Sequence, residues 1–281
     1  MPAKIPQSET RSHQRVAEHY RIEKELAGRL RSAPKEKRRQ LYTAAYDELF
    51  RRVPDHPQLT LKASAVSREA EMAARLKLLS SYLSEDVTYL EIGPGDCALA
   101  IAVAQRVRKV YAVDVSNEIA AGVKLPENLE LVISDGSSIP VPSGSVDLAY
   151  SDQLMEHLHP DDAAEQLGNI YQALRPGGVY VCITPNRLSG PHDVSRYFDD
   201  VATGFHLREY SVGELVRLFR AAGFRKFKVL AGGGHFHLAL VPLLVRAAEK
   251  FLSVLPPSFG RTLARGLPLR LILGAKLVAR K

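Results

Sequence analysis

Cysteine is scarce in this 281-residue chain: Cys97 and Cys182 are the only two. Two cysteines cannot build a disulfide framework or a cysteine-rich zinc cluster, and no metal is expected. Both read as packed residues rather than nucleophiles. Residues 1–31 lack the apolar core that marks a secretory leader, so the expected location is cytoplasmic. A clean membrane span is also missing. The apolar stretch 236–255 has about the right length, but Pro242, Arg246, Glu249 and Lys250 interrupt it. Acid is nearly absent from the end of the chain. Residues 236–281 hold eight basic side chains against Glu249 alone, a net +7 that equals the formal charge of the whole chain. The first forty residues are basic as well, with Lys35, Lys37, Arg38 and Arg39 in a run. A partner attracted by charge would therefore meet the two ends, not the middle.

What is present is ordinary globular composition, 46% hydrophobic and 25% charged. It suits one large domain with additions. Residues 1–84 read as a helical extension. A first helix near 12–31 carries Val16, Tyr20, Leu26 and Leu30 as an apolar stripe. Pro34 opens a second helix, which Pro54 and Pro57 end. A third starts near Ser67. This extension is either a cap packed on the sheet or a lid that closes over a ligand. Residues 85–235 alternate strands and helices, which implies a parallel sheet covered on both faces. Residues 236–281 form a basic amphipathic helical insertion and a final strand. Its apolar stretch reads either as a helix covering the core or a subunit interface, or as an interfacial helix on an anionic membrane.

The chain is organised around Tyr89-Leu90-Glu91-Ile92-Gly93-Pro94-Gly95-Asp96-Cys97-Ala98. It reads as a buried strand, a tight glycine turn and a helix start with Asp96 as N-cap. Gly93-x-Gly95-x-x-Ala98 fits the dinucleotide fingerprint, but a lone match is weak. Its neighbours add weight. A second strand ends at Asp114, about 20 residues after the glycines, where a carboxylate reaches a ribose diol. A third strand ends at Ser134-Asp135-Gly136. A fourth, 146–150, leads into Ser151-Asp152-Gln153-Leu154-Met155-Glu156-His157-Leu158, and Leu174-Arg175-Pro176-Gly177-Gly178 precedes a fifth.

In this order and spacing the chain resembles the class I S-adenosylmethionine-dependent methyltransferases, most of all their small-molecule branch. The resemblance covers roughly residues 87–230. One departure is Cys97, which stands where the family has a third glycine. The resemblance implies an α/β, Rossmann-like, seven-stranded, mostly parallel sheet whose antiparallel last strand lies between strands five and six. It implies S-adenosyl-L-methionine as cofactor. Gly93 and Gly95 would let the backbone approach it, and Glu91 would orient its amino-acid end. Asp114 would accept from both ribose hydroxyls. Asp135 would take the adenine amino group with Gly136 beside it, and Ser151 would contribute from the end of the fourth strand.

Methyl transfer is mainly a matter of in-line alignment, but a hydroxyl acceptor also has to lose a proton. His157 is the candidate base, with a hydrogen-bonded histidine at a helix start as the plain alternative. The connection 184–210 is too long and polar for a simple crossover. Arg187, His192, Arg196 and His206 are its candidate substrate contacts. The expected reaction is methyl transfer to a small-molecule or lipid-like acceptor, at oxygen. Three rival readings stand beside it. A nicotinamide oxidoreductase lacks a second nucleotide-binding half after Gly136. A non-catalytic S-adenosylmethionine-binding or scaffold module is opposed by the intact Gly93, Gly95, Asp114 set, although ligand binding alone does not separate it from an enzyme. A nucleic-acid methyltransferase guided by the basic termini lacks both the Asn/Asp-Pro-Pro-aromatic motif after the fourth strand and a Pro-Cys pair. Nucleic acid is therefore not the expected partner, and the oligomeric state is left open.

Overall fold

The computed structural model describes residues 5–6, 9–60, 65–115, 123–233, 236–267 and 269–281. Four helices come first: α1 (His13–Ser32), α2 (Lys35–Arg52), the short α3 (Pro57–Thr60) and α4 (Ala65–Leu79). The alternating region follows with β1 (Thr88–Ile92), α5 (Ala98–Ala104), β2 (Lys109–Asp114), β3 (Leu129–Ile133), β4 (Val146–Asp152), α6 (Pro160–Ala173), β5 (Leu174–Thr184), α7 (Val212–Ala222) and β6 (Lys226–Gly233). The chain continues through β7 (Phe236–Leu240), α8 (Pro242–Ser253), α9 (Pro257–Arg265), α10 (Leu269–Leu273) and β8 (Ala275–Arg280).

β1 is buried along its whole length, as a central parallel strand covered on both faces must be. It pairs in parallel with β2 on one side and β4 on the other. The full order is β3-β2-β1-β4-β5-β8-β6-β7. β8 inserts antiparallel between β5 and β6, the place expected for the final strand. The expected count of seven strands is corrected to eight among the described residues. The extra one, β7, pairs antiparallel with β6 and uses the first five residues of the apolar stretch that had read as a helix. The expected segment boundary at residue 235 lies outside the described residues.

Alternation along β1 sends Tyr89 into one core cluster and Leu90 and Ile92 into the other. On Tyr89's side pack Leu79 of α4 and Leu99 and Val103 of α5. On the opposite side the cluster runs from Leu26 and Leu30 of α1, through Tyr42 and Leu49 of α2, to Leu167 of α6 and Phe219 of α7. The N-terminal helices thus share the main core. A buried polar clasp fixes them. The Arg38 guanidinium donates twice to Asp162 on α6, at 2.8 Å each, and the Tyr42 hydroxyl donates to the same carboxylate at 2.6 Å. Bidentate charge-assisted pairs of this kind are strong and directional. α2 is docked as a fixed cap.

Candidate functional site

The strand register lines up the residues at one edge of the sheet. Ile92 lies opposite Val113 of β2 and Ser151 of β4, and Asp114 lies opposite Ile133 of β3. Gly93, Asp114, Ser134, Asp135 and Asp152 therefore emerge at the same carboxyl edge. β1 is the strand from which the order runs both ways, and ligands of open α/β sheets bind at that point. The turn is built for close approach: Gly93 and Gly95 have φ of +70° and +55°. A β-carbon on Gly93 would also press on Leu154 at 3.1 Å. Cys97 holds a left-handed φ of 58°, so the turn keeps the shape a third glycine would favour. Cys97 is the residue before α5, while the Asp96 carboxylate accepts from the Ala98 N–H at 3.1 Å.

The rim is acidic. Asp114 is half-buried and its Oδ1 accepts from the Val115 N–H at 2.7 Å. Asp135 Oδ1 accepts from the Ser137 and Ser138 N–H groups at 3.0 and 2.7 Å, and Oδ2 lies 3.2 Å from Arg39. Burial would raise the Asp135 pKa, but these donors hold it below the usual carboxylate range. The Gly136 carbonyl accepts from Gln166 at 2.7 Å. Ser151 is fully buried, its hydroxyl paired with the Tyr180 hydroxyl at 2.7 Å, so only its backbone belongs to the rim. Glu91 is buried beneath the turn, where lost hydration pushes its carboxyl up to about 8. Local pattern reading missed its neighbours: Tyr89 donates to Glu91 at 3.3 Å, and Arg75 and Tyr150 donate to Asp152 at 2.9 and 3.1 Å.

Beside this rim lies a cavity of about 350 Å³. The segment after β4 supplies Gln153 and His157, and the long connection supplies His192, Asp193, Arg196, Tyr197, Phe205 and His206. The cap supplies Arg11, His19, Glu23, Tyr46 and His56. Three of the four expected substrate-loop residues therefore line one cavity. Arg187 does not; it is turned away to Glu214 at the start of α7, at 2.8 Å. His159 caps α6, its side chain accepting from the Asp161 N–H.

The His157 Nδ1–H donates to the Phe205 carbonyl at 3.1 Å, leaving Nε2 free of that bond. Burial first, and His206 second, push its pKa down to about 3, so it is neutral and weakly basic. Glu156, the preceding residue, does not line the cavity. It is fully buried, its Oε2 accepts from Thr184 at 2.9 Å, and its Oε1 has no hydrogen-bond partner. Burial lifts its pKa to about 7. Burial opposes protonation of His206, but the Glu209 hydrogen bond and the Glu156 and Asp193 charges outweigh it and raise its pKa.

Two groups bring metal-type ligand atoms within 4.8 Å of one another: His19, Glu23 and His56, which line the cavity, and buried Glu156 with His157 and His206 of the lining. The first is satisfied internally. Arg11 can only donate, so its bond to His19 Nδ1 fixes Nε2–H toward Glu23 at 2.7 Å. Glu23 also takes the Phe205 N–H at 3.1 Å; although burial would raise its pKa, its donors hold it at about 2. That donor set does not suit a cation. The second group has the composition a divalent cation would accept. The expectation of no metal rested on cysteine count, which is silent about histidine and glutamate.

A glycine turn at the strand where the sheet order reverses, acids at the ends of the next two strands, and a separate cavity beside them define a methyltransferase-type α/β fold. The chain belongs to the methyltransferase domain family, which matches residues 65–229. A probable S-adenosylmethionine-dependent methyltransferase of Mycolicibacterium smegmatis is 32% identical over 149 residues, 53% of this chain and 54% of that protein. The chain spans about half the length of the curated relatives it matches. Among solved structures, Haemonchus contortus phosphoethanolamine N-methyltransferase 1, in complex with phosphoethanolamine and S-adenosylhomocysteine, matches 88% of this chain and 50% of its own. The TM-score is 0.55 and the identity 18%. Burkholderia thailandensis 1,6-didemethyltoxoflavin-N1-methyltransferase matches 89% and 91%, with TM-score 0.51 and 19% identity. At such identities the likeness is one of fold.

Proposed function

We propose that this protein is an S-adenosylmethionine-dependent methyltransferase that methylates a hydroxyl of a small polar or lipid-like acceptor held in the cavity between cap and sheet. The observation that carries the reading is the pairing of an acidic, glycine-turned rim with a separate histidine-lined cavity, joined through residues 153–157. S-adenosylmethionine supplies a methyl group on a sulfonium, which is already a good leaving group. The residues fit it. Its sulfonium and ammonium cations suit a rim carrying Asp114, Asp135 and Asp152, and its ammonium would add a countercharge above buried Glu91. Asp114 would hold the ribose, Asp135 and Gly136 the adenine edge, and Gly93 and Gly95 the closest backbone contacts. In the cavity, Arg196, His192 and His206 would orient the acceptor, and the capped pocket would exclude water. His157 lines the cavity and is the residue placed to take the acceptor's proton, although burial of its ring leaves it a weak base.

Calorimetric titration tests the cofactor half. S-adenosylmethionine should bind saturably, Asp114→Ala should weaken binding at least tenfold while retaining its circular dichroism, and NAD should give no signal. A preference for NAD, or no response to S-adenosylmethionine, would overturn the reading. Labelled methyl transfer to a panel of hydroxyl acceptors then tests the second half.

A further inference from the structure

Nine of the thirteen large apolar side chains exposed among the described residues fall between 238 and 271. Leu243, Leu244 and Phe251 are 58–69% exposed on α8 and Val254 at its C-cap 74%, Phe259 is 54% exposed on α9, and Leu267 is 69% exposed just beyond it. α8 has two apolar faces. Val245, Glu249 and Leu252 point into the protein. At about 100° per residue, Leu243, Leu244, Ala247, Phe251 and Val254 share an outward arc about 100° wide. Exposed Arg246 and Lys250 fall together along one side of that arc.

Charge decides what covers this face. Glu249 is the single acid of residues 236–281, and it is turned inward. It accepts from the Val212 and Gly213 N–H groups at the start of α7, at 2.6 and 2.9 Å, and from Asn186 at 2.9 Å. Arg261 is paired with Asp200, and Arg265 donates to the Ser189 and Gly190 carbonyls. Outward, the segment thus combines apolar side chains with basic groups. Residues 242–273 hold five basic side chains and no outward acid, so a second copy would set like charge against like charge. An anionic bilayer complements both features: acyl chains receive the apolar arc, and headgroup phosphates meet the lysine and arginines at its edge. No helix among the described residues is long and apolar enough to cross a membrane, so the contact is with the surface.

We propose that the α8–α10 face docks on the surface of an anionic membrane, with α8 lying along the interface and Phe251 below the headgroups. The chain has no tryptophan, so Phe251→Trp introduces a single indole reporter. Full-length protein is mixed with vesicles of phosphatidylcholine alone or with 30% phosphatidylglycerol. The expected result is at least tenfold tighter binding to the anionic vesicles. The indole emission should shift to the blue, brominated acyl chains should quench it, and binding should weaken in 0.5 M salt. Leu244→Asp with Phe251→Asp should lower vesicle affinity at least tenfold while S-adenosylmethionine binding stays unchanged. Equal affinity for neutral vesicles, no acyl-chain quenching, or no effect of the double substitution would overturn the proposal. So would a concentration-dependent dimer that the same substitutions abolish in the absence of vesicle binding.

Discussion

Two carboxyls, Glu91 and Glu156, sit where burial holds their protons into the neutral range, at about 8 and about 7 against 4.5 for an ordinary glutamate. The raised pKa means the native state keeps a proton that the unfolded chain gives up. From about pH 4.5 upward the unfolded state binds fewer protons, so each group lowers stability as pH rises, until the native carboxyl has ionised as well. Glu91→Gln and Glu156→Gln should therefore gain melting temperature relative to the wild type as pH climbs from 5 to 8, by several degrees for Glu91. His157, held neutral down to about 3, acts in the opposite sense below pH 6.5, so each comparison is read as variant minus wild type. A difference that stays flat across this range would mean the carboxyls are solvated. Glu91 was legible in the sequence because it adjoins the glycine turn. Glu156 was not: its neighbours Thr184 and His206 lie 28 and 50 residues further along the chain, and no local spacing announces them.

At the scale of the element, α8 shows what an apolar stretch conceals. Residues 236–255 contain both a five-residue strand and a helix, and apolar content does not separate them. The signal was Pro242, which opens α8 in its first turn and ends β7 just before it. β1 to β5 were legible because β-branched and apolar residues run between glycine- and acid-rich turns. The docking of α8 on α7 was not, since it depends on one carboxylate filling a helix start from a separate helix. Anions are favoured at that position. Glu249→Ala would leave the Val212 and Gly213 N–H groups buried without acceptors, at about 1–3 kcal/mol each. The melting temperature should fall by roughly 5–10 °C for a chain of this size. Glu249→Gln, which keeps one acceptor, should lose less. A fall under about 2 °C for the alanine variant would mean that water replaces the carboxylate.

For the molecule as a whole, the question is whether cap and sheet form one cooperative body. The sequence allowed either a packed cap or a lid, because an amphipathic helix pattern says that a face is buried but not against what. The structure puts Leu26, Leu30, Tyr42 and Leu49 of the cap in one apolar cluster with Leu90, Ile92 and Val113 of the central strands. The Arg38–Asp162–Tyr42 clasp closes the same interface. The cavity is assembled only by this union, since His19, Glu23 and His56 come from the cap and His157 and His206 from beyond β4. Shared apolar burial of this kind couples the two parts, so partial unfolding would expose the core of both. Calorimetry should give a single transition, and far-ultraviolet circular dichroism and tyrosine fluorescence should follow it together. Arg38→Ala strands a buried carboxylate, which typically costs about 3–5 kcal/mol. That loss should lower the one transition rather than split it. Two transitions in the wild type, the first confined to residues 13–52 by amide exchange, would make the cap a separable lid. The acceptor cavity would then be a transient feature of the closed state.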